Sequence, residues 1–371
     1  MNIAFVHDHL FRRVDGVYYS TGGLSNEVLT RYTSYCDNLV VIARIKDEDS
    51  VNGRWSRIDN TKVQICGNKN LLYKGLKNKV KAVDRVIIRL PSILGLRAVW
   101  YARKYSKKYF VEVVGCAWDA LWNRNITGKI LAPFIFLANR AAISRSPYVL
   151  YVTQKFLQSR YPSSGKTIGC SDVDIRDLNE DIQRNRLNRI KKSKGKLVLG
   201  TIGAVDVRYK NQKSIINALG ILNKEGYKNI EYQLVGNGDK SFLEGIVRKN
   251  ELIDKVVFKG GIPHEDIYDW LDSIDVYIQP SKQEGLPRSV VEAMSRGVPV
   301  LTSNRGGMPE LVDAEFQFDP DNVNGIVQLI RDITIDKLIN MSVFCYRKAA
   351  DYQKEILEKR RNEFYREFLN D

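Results

Sequence analysis

Short β-rich apolar runs alternate with helix-length amphipathic stretches, and the alternation restarts midway along the chain. The first half reads NIAFVHD (2–8), GGLSNEVLTRYTSY (22–35), NLVVIARI (38–45), KVQICG (62–67), YFVEVVG (109–115) and YVLYVT (148–153). The second reads KLVLGTIGA (196–204), QKSIINALGILNKEG (212–226), IEYQLVGNG (230–238), KVVFKGG (255–261), DVYIQPS (275–281) and VPVLTSN (298–304). Strands separated by helices of about 10–15 residues predict βαβ units and parallel sheets. Two such series predict an α/β protein with two Rossmann-like domains facing across a cleft. The 371 residues also exceed what one ordinary core holds. The join falls within 160–197, which ends in the polar, basic RLNRIKKSKGK (186–196). The expected domains are 1–165 and 166–349, with a final Arg-, Lys- and Glu-rich helix, about 350–371, crossing back to the first domain.

With 44% hydrophobic and 27% charged residues, the composition is that of a globular protein. No apolar run approaches the roughly 18 residues that span a bilayer, and LAPFIFLA (131–138) reads as a buried segment. The start, MNIAFVHDHL, has no signal-peptide pattern and reads as a first core strand, so the expected location is the cytoplasm. Five cysteines without a CxxC pair argue against a zinc site and a disulfide framework. The net charge of +15 fits three partners: nucleic acid, an anionic membrane surface or a phosphorylated substrate. Tyr73–Lys108 holds eleven Lys or Arg and one acid, Asp84, interleaved with apolar residues such as Ile87, Val99 and Trp100. That segment reads either as a membrane-surface stretch or as a solvated helix face backed by core.

The chemistry gathers at predicted strand ends of the second half. In VYIQPSKQEGLPRSVVEAMSRGVPVL a strand ends at Gln279–Pro280 and a loop carries Glu284 and Gly285. Pro287 then suits the first turn of a helix. A helix N-terminus offers free amides and partial positive charge to a phosphate, and a glycine admits close backbone approach. Glu284 in the loop can reach a ligand, and Glu292, two turns on, can accept from its hydroxyls. Both also read as ordinary helix charges, one of them favourable to the dipole. VGNGD (235–239), KGGIP (259–263), RYKNQKS (208–214) and NRGGMPE (304–310) place glycines, cations or carboxylates at four further strand ends. Arg208, Lys210 and Lys213 are candidates for a diphosphate. DVD (172–174) and DPD (319–321) read as turn chemistry. His7 and His9 follow the first strand toward the cleft, His7 as a ligand for acceptor or phosphate or as a structural histidine; His264 reads as a helix start.

These stretches resemble the donor domain of family 4 glycosyltransferases, which have the GT-B fold. The resemblance covers about 197–320, with TGGLSNEVL as an echo near the start, and its most specific part is the pair Glu284 and Glu292 inside EGLPRSVVEAMSRGVPV. It implies retaining transfer of a sugar from a nucleotide diphosphate donor, UDP- or GDP-linked, with no cofactor and no metal. By that resemblance Glu284 contacts the donor sugar and Glu292 the ribose hydroxyls. The amides of Gly285 and Leu286 face sugar and phosphates, and Lys213 and its basic neighbours Arg208 and Lys210 hold the diphosphate. Ile262 and the loop of Gly236 and Gly238 flank the base, and Gly22 and Gly23 approach the phosphates from the first domain. Two departures stand out: Ala204 occupies the place of the family's arginine, and Gly115–Asp119 that of its strand-end histidine. Asp119 and Trp118 thereby become acceptor-side candidates, Asp119 a catalytic one. A GT-B 2-epimerase and a basic nucleic-acid-binding protein are the rival readings. No recognised nucleic-acid module appears, so no nucleic-acid partner is expected. A glycan or lipid-linked glycan acceptor and peripheral attachment at the inner membrane face complete the expectation.

Overall fold

The computed structural model describes residues 1–53, 55–192 and 195–371. The first domain is built from β1 (Asn2–Val14), β2 (Val17–Ser20), α1 (Asn26–Thr33), β3 (Asn38–Asp47), β4 (Ser56–Arg57), β5 (Val63–Asn68), α2 (Leu76–Ala82), β6 (Arg85–Leu90), α3 (Ile93–Lys104), β7 (Lys108–Val113), α4 (Ala117–Trp122), α5 (Ile126–Ser144), β8 (Tyr148–Tyr151), α6 (Phe156–Arg160) and β9 (Lys166–Gly169). Its parallel strands run β5-β3-β1-β6-β7-β8-β9. Strand β1 is longer than its sequence suggests. It continues past a register shift at Val6/Leu10 and turns through Asp15–Gly16, both at positive φ, into the antiparallel β2. Such a two-residue turn matches the twist of its strands.

The second domain follows with α7 (Glu180–Lys192), β10 (Leu197–Ile202), α8 (Gln212–Lys224), β11 (Ile230–Val235), α9 (Ser241–Lys249), β12 (Val256–Gly260), α10 (Ile267–Ser273), β13 (Val276–Gln279), α11 (Arg288–Ser295), β14 (Val300–Ser303), β15 (Gln317–Phe318), α12 (Val323–Arg331) and α13 (Ile335–Ala349). Its strands are all parallel, in the order β12-β11-β10-β13-β14-β15. Both sheets therefore reverse direction beside their first strand, the arrangement that opens a crevice at the strand C-termini. Continuous apolar runs such as Val276–Ile278 are wholly buried because helices cover both faces.

α14 (Lys354–Asn370) crosses back to the first domain. Phe364 and Phe368 pack on Phe110 and Tyr148, and Tyr365 Oη donates to Glu112 Oε1 at 2.5 Å. Glu112 also accepts from Tyr32 and, at 3.0 Å, from Arg89 Nε, so this buried carboxylate ties sheet, α1 and α14 together.

The structure sharpens or changes four expectations. β9 pairs with β8, so the first sheet extends to Gly169, beyond a boundary at 165/166. Most of RLNRIKKSKGK is the end of α7, not a linker; Ser193 and Lys194 of it lie outside the described residues. Dense cations hid its buried side, where Arg186 donates to the carbonyls of Ile274 and Leu271. Tyr73–Lys108 is core on one side and carries exposed cations and Trp100 on the other. It contains the core strand β6, and Val80, Ile87, Ile88, Leu90, Leu94 and Val99 are all buried. LAPFIFLA is the reverse case: Leu131, Phe134 and Leu137 are exposed on α5.

Candidate active site

The loops leaving β10 and β13 diverge where the strand order of the second sheet reverses. The loop after β13 carries Glu284 and Gly285 and ends at Pro287, which stands outside α11 at φ −72° and ψ 115°. No side chain caps α11, so its first amides and positive end are left to the crevice. Val290, Val291 and Met294 bury the opposite side of the helix and fix its direction. Leu286, Arg288, Ser289 and Glu292 line a cavity of about 610 Å³ at this point.

The loop after β10 forms a 3-10 turn, Arg208–Lys210. It brings Lys210 Nζ to 2.7 Å from Glu284 Oε1, with the two side chains 20% and 14% exposed. Burial works against the Lys210 charge, but the Glu284 carboxylate outweighs it and raises the ammonium pKa. Glu292 is 9% exposed on the largely buried α11, and its Oε1 is 3.5 Å from His264 Nε2. The hydrogen bond to Glu292 lifts the His264 pKa above its usual value in spite of partial burial.

The first domain supplies the facing wall. Gly23, Arg89 and Val114 line the same cavity, as does Asp172 on the connecting segment. Burial disfavours the Asp172 charge, yet Arg89 and then Arg288 outweigh it and lower the carboxyl pKa. A contiguous hollow of about 670 Å³ shares Asp172, His264, Arg288 and Glu292 and runs on toward Tyr35 and Lys354. On the other side of Glu284 and Gly285 lies a smaller hollow of about 170 Å³, lined by Cys116, Asp119, Tyr209 and Gln283. Burial raises the Asp119 pKa, with Arg160 at 3.8 Å acting against that. One loop thus separates a large chamber, lined by Arg89, Lys210 and Arg288 and as many carboxylates, from a small one carrying the Asp119 carboxyl group.

Close contacts hold the two walls together. A Cβ on Gly285 would lie 2.5 Å from the Val114 carbonyl oxygen, so only glycine lets this loop touch the first domain. Gly306, at φ +63°, packs its backbone under Glu284, where a side chain would strike the Glu284 carbonyl. Gln283 Oε1 accepts from Asn123 Nδ2 at 2.8 Å. Glu310 crosses the cleft entirely: its carboxylate accepts from the backbone amides of Gln154, Lys155 and Phe156 at 2.6–3.0 Å, capping α6.

Of the residues singled out in the sequence, Glu284, Gly285, Leu286, Glu292, Lys210, Ile262 and Gly23 line one cavity, and Asp119 lines the neighbouring hollow. Others lie elsewhere. Arg208 stacks on Phe242 with its guanidinium 3.2 Å from the ring centroid. Lys213 is exposed on the first turn of α8, since the intervening 3-10 turn puts Lys210 at the crevice instead. Gly236 and Gly238 pack the turn after β11 against Gly203 and Asp206, and Gly22 is exposed beside Gly23 without lining the cavity. His7 is held by burial, and then by Arg89, with its pKa down to about 3 and its Nδ1 unpaired; it lines neither chamber. Trp118 stacks on Trp122 and packs on Phe136, behind Asp119. Sequence gives no role to Arg288, Arg89 or the His264–Glu292 contact, and it assigns Asp172 to turn chemistry, whereas Asp172 lines the cavity. Arg288 stands at the helix start beside Pro287, whereas the second arginine of the apolar RVIIRL is the only sign of Arg89.

Two Rossmann-like domains clasping a glycine-walled cleft have the fold of the GT-B glycosyltransferases. Residues 183–351 match the family model of glycosyl transferases group 1. The chain is 34% identical over 379 aligned positions to protein CapJ of Staphylococcus aureus, covering 98% of this chain and 90% of that protein. It belongs to the glycosyl transferases group 1 family. It is also similar to the amylovoran biosynthesis glycosyltransferase AmsK of Erwinia amylovora, 35% identical over 26% of each chain. Among solved structures, sucrose-phosphate synthase from Thermosynechococcus elongatus superposes with a TM-score of 0.69 at 14% identity, covering 100% of this chain and 99% of that one. HepE of Anabaena, in complex with UDP-glucose, does so with a TM-score of 0.67 at 17% identity, covering 99% and 100%. At such identities these two likenesses speak for the fold alone.

Proposed function

We propose that this enzyme is a family 4, retaining hexosyltransferase acting on a UDP- or GDP-linked donor. Its acceptor in this reading is a lipid-linked glycan, in the assembly of a capsule, O-antigen or exopolysaccharide. The observation that carries the proposal is the Lys210–Glu284 pair set beside Gly285 and the uncapped start of α11. The names of CapJ and AmsK support the pathway, and the UDP-glucose in HepE supports the donor class.

In the reaction proposed, the bond from the anomeric carbon to the diphosphate oxygen breaks and its electron pair leaves with the diphosphate. The α11 amides, Lys210 and Arg288 stabilise that charge, and preorganised dipoles and cations do so without reorganising. Those cations make a metal unnecessary in this account. Glu284 offers an electron-rich edge to the positive anomeric centre. An acceptor hydroxyl oxygen enters on the face the diphosphate leaves, and its proton passes to a departing phosphate oxygen. Glu292 holds the ribose hydroxyls. Asp119, in the smaller hollow, is placed to orient the acceptor. The protein works in the cytoplasm, on the inner face of the membrane.

A panel of UDP- and GDP-sugars, incubated with and without membrane extract, tests the reading. The expected result is nucleotide release that rises with extract for one donor, and a product whose anomeric configuration, read by NMR, matches that donor. Release without acceptor dependence, or an inverted product, would overturn it.

A further inference from the structure

Helix α5 is, among the described residues, the one helix long and apolar enough by length and composition to cross a bilayer. Its inner side is committed to the fold: Gly128, Ala132, Ala142 and Ile143 are buried against α4 and the first sheet. Its outer side has no cover. Ile126 is 79% exposed, Ile130 63%, Phe134 68% and Leu137 59%. Spaced by four, four and three residues, they form one stripe along the helix. A patch of this kind on a soluble protein marks an interaction surface.

The charge around the stripe selects the partner. α2, α3 and α5 cover the same face of the first sheet, and none of the three contains an acidic residue. Between Asp119 and Asp172 the chain has no Asp or Glu, while Arg124, Lys129, Arg140 and Arg145 stand in or beside α5. Two exposed tryptophans flank the stripe, each with a lysine over its ring: Lys129 at 5.6 Å from Trp122, and Lys104 at 4.9 Å from Trp100 on α3. A twofold contact with a second copy would set this cationic border against itself. An anionic bilayer supplies both what the stripe and what the border need.

We infer that the outer face of α5 seats in the headgroup layer of an anionic bilayer, lying in the membrane plane with Trp100 and Trp122 at its margins. The position suits the proposed lipid-linked acceptor, and to that extent the inference rests on that reading. α4, which carries Asp119 into the small hollow, runs straight into α5 through Asn123, the residue bonded to Gln283. A lipid-anchored acceptor thus meets the cleft one loop from the membrane face.

Flotation with phosphatidylcholine vesicles, with and without phosphatidylglycerol, tests it at low and high salt. The whole protein should float with anionic vesicles at low salt. The double variant Ile130→Asp, Phe134→Asp should lose more than about tenfold in vesicle affinity. Lys129→Glu, which leaves the apolar stripe itself intact, should weaken anionic binding by about fivefold. Melting temperature and UDP binding should stay unchanged in all three proteins, which separates this surface from the cleft chemistry. Wild-type protein that fails to float, variants that float equally well, or a wild-type dimer that the double variant converts to monomer would each overturn it.

Discussion

The Lys210 ammonium donates to the Glu284 carboxylate at 2.7 Å across the crevice between two strand-end loops. Each group partners a charge that would otherwise be stranded in a shielded site. Lys210→Met therefore removes a phosphate cation and leaves Glu284 unpaired. Charge-assisted hydrogen bonds contribute about 1.5–3 kcal/mol. UDP binding, followed by calorimetry, should weaken by roughly 10- to 100-fold.

Gly306 lies under Glu284 with φ +63°. Gly306→Ala adds backbone strain of about 1 kcal/mol or more and displaces the Glu284 backbone. Transfer should fall more than about tenfold in kcat, because a small misplacement of a reacting group is costly. UDP affinity should change little. An equal loss in both would mean that Gly306 supports the whole cleft.

Glu310 caps α6 of the opposite domain through three backbone amides. The sequence reading grouped it with ligand-facing carboxylates, but its partners are in the protein. Glu310→Ala should cost about 1–2 kcal/mol in a urea titration, as a lost N-cap does. Small-angle scattering should report a more open molecule, and KM should rise for donor and acceptor together.

The chain has three histidines. Burial, followed by Arg89, holds His7 down to about 3 and His9 to about 4. His264 goes the other way, raised first by its hydrogen bond to Glu292. A raised folded-state value means that the pair stabilises the fold fully below the ordinary pKa of about 6.5, and that this is lost as pH rises through the folded value. Ring NMR between pH 5 and 8 should show one titrating histidine, with its midpoint above 6.5, and two silent ones. Glu292→Gln should lower that midpoint.

Much of this architecture was legible because parallel sheets buried on both faces write themselves as continuous apolar runs. Pro287 marked the start of α11, and the eight-residue spacing of Glu284 and Glu292 put both on one cavity wall. What sequence could not show depends on contacts distant in the chain. Arg208 meets Phe242, and Asp172 sits between Arg89 and Arg288. Sequence does not separate Arg208, Lys210 and Lys213, because helical periodicity does not reveal a 3-10 turn just before α8. LAPFIFLA on α5 reads as core in sequence, since hydropathy records what a residue prefers, not whether a neighbour covers it.

Sugar transfer from labelled nucleotide sugar into the lipid fraction of a membrane extract, comparing wild type with Glu284→Ala, addresses the central claim most directly. The account predicts labelled lipid from the wild type and a loss of more than about 100-fold in the variant, with circular dichroism unchanged, as befits a group at the reacting centre. Comparable label from the two proteins would contradict it.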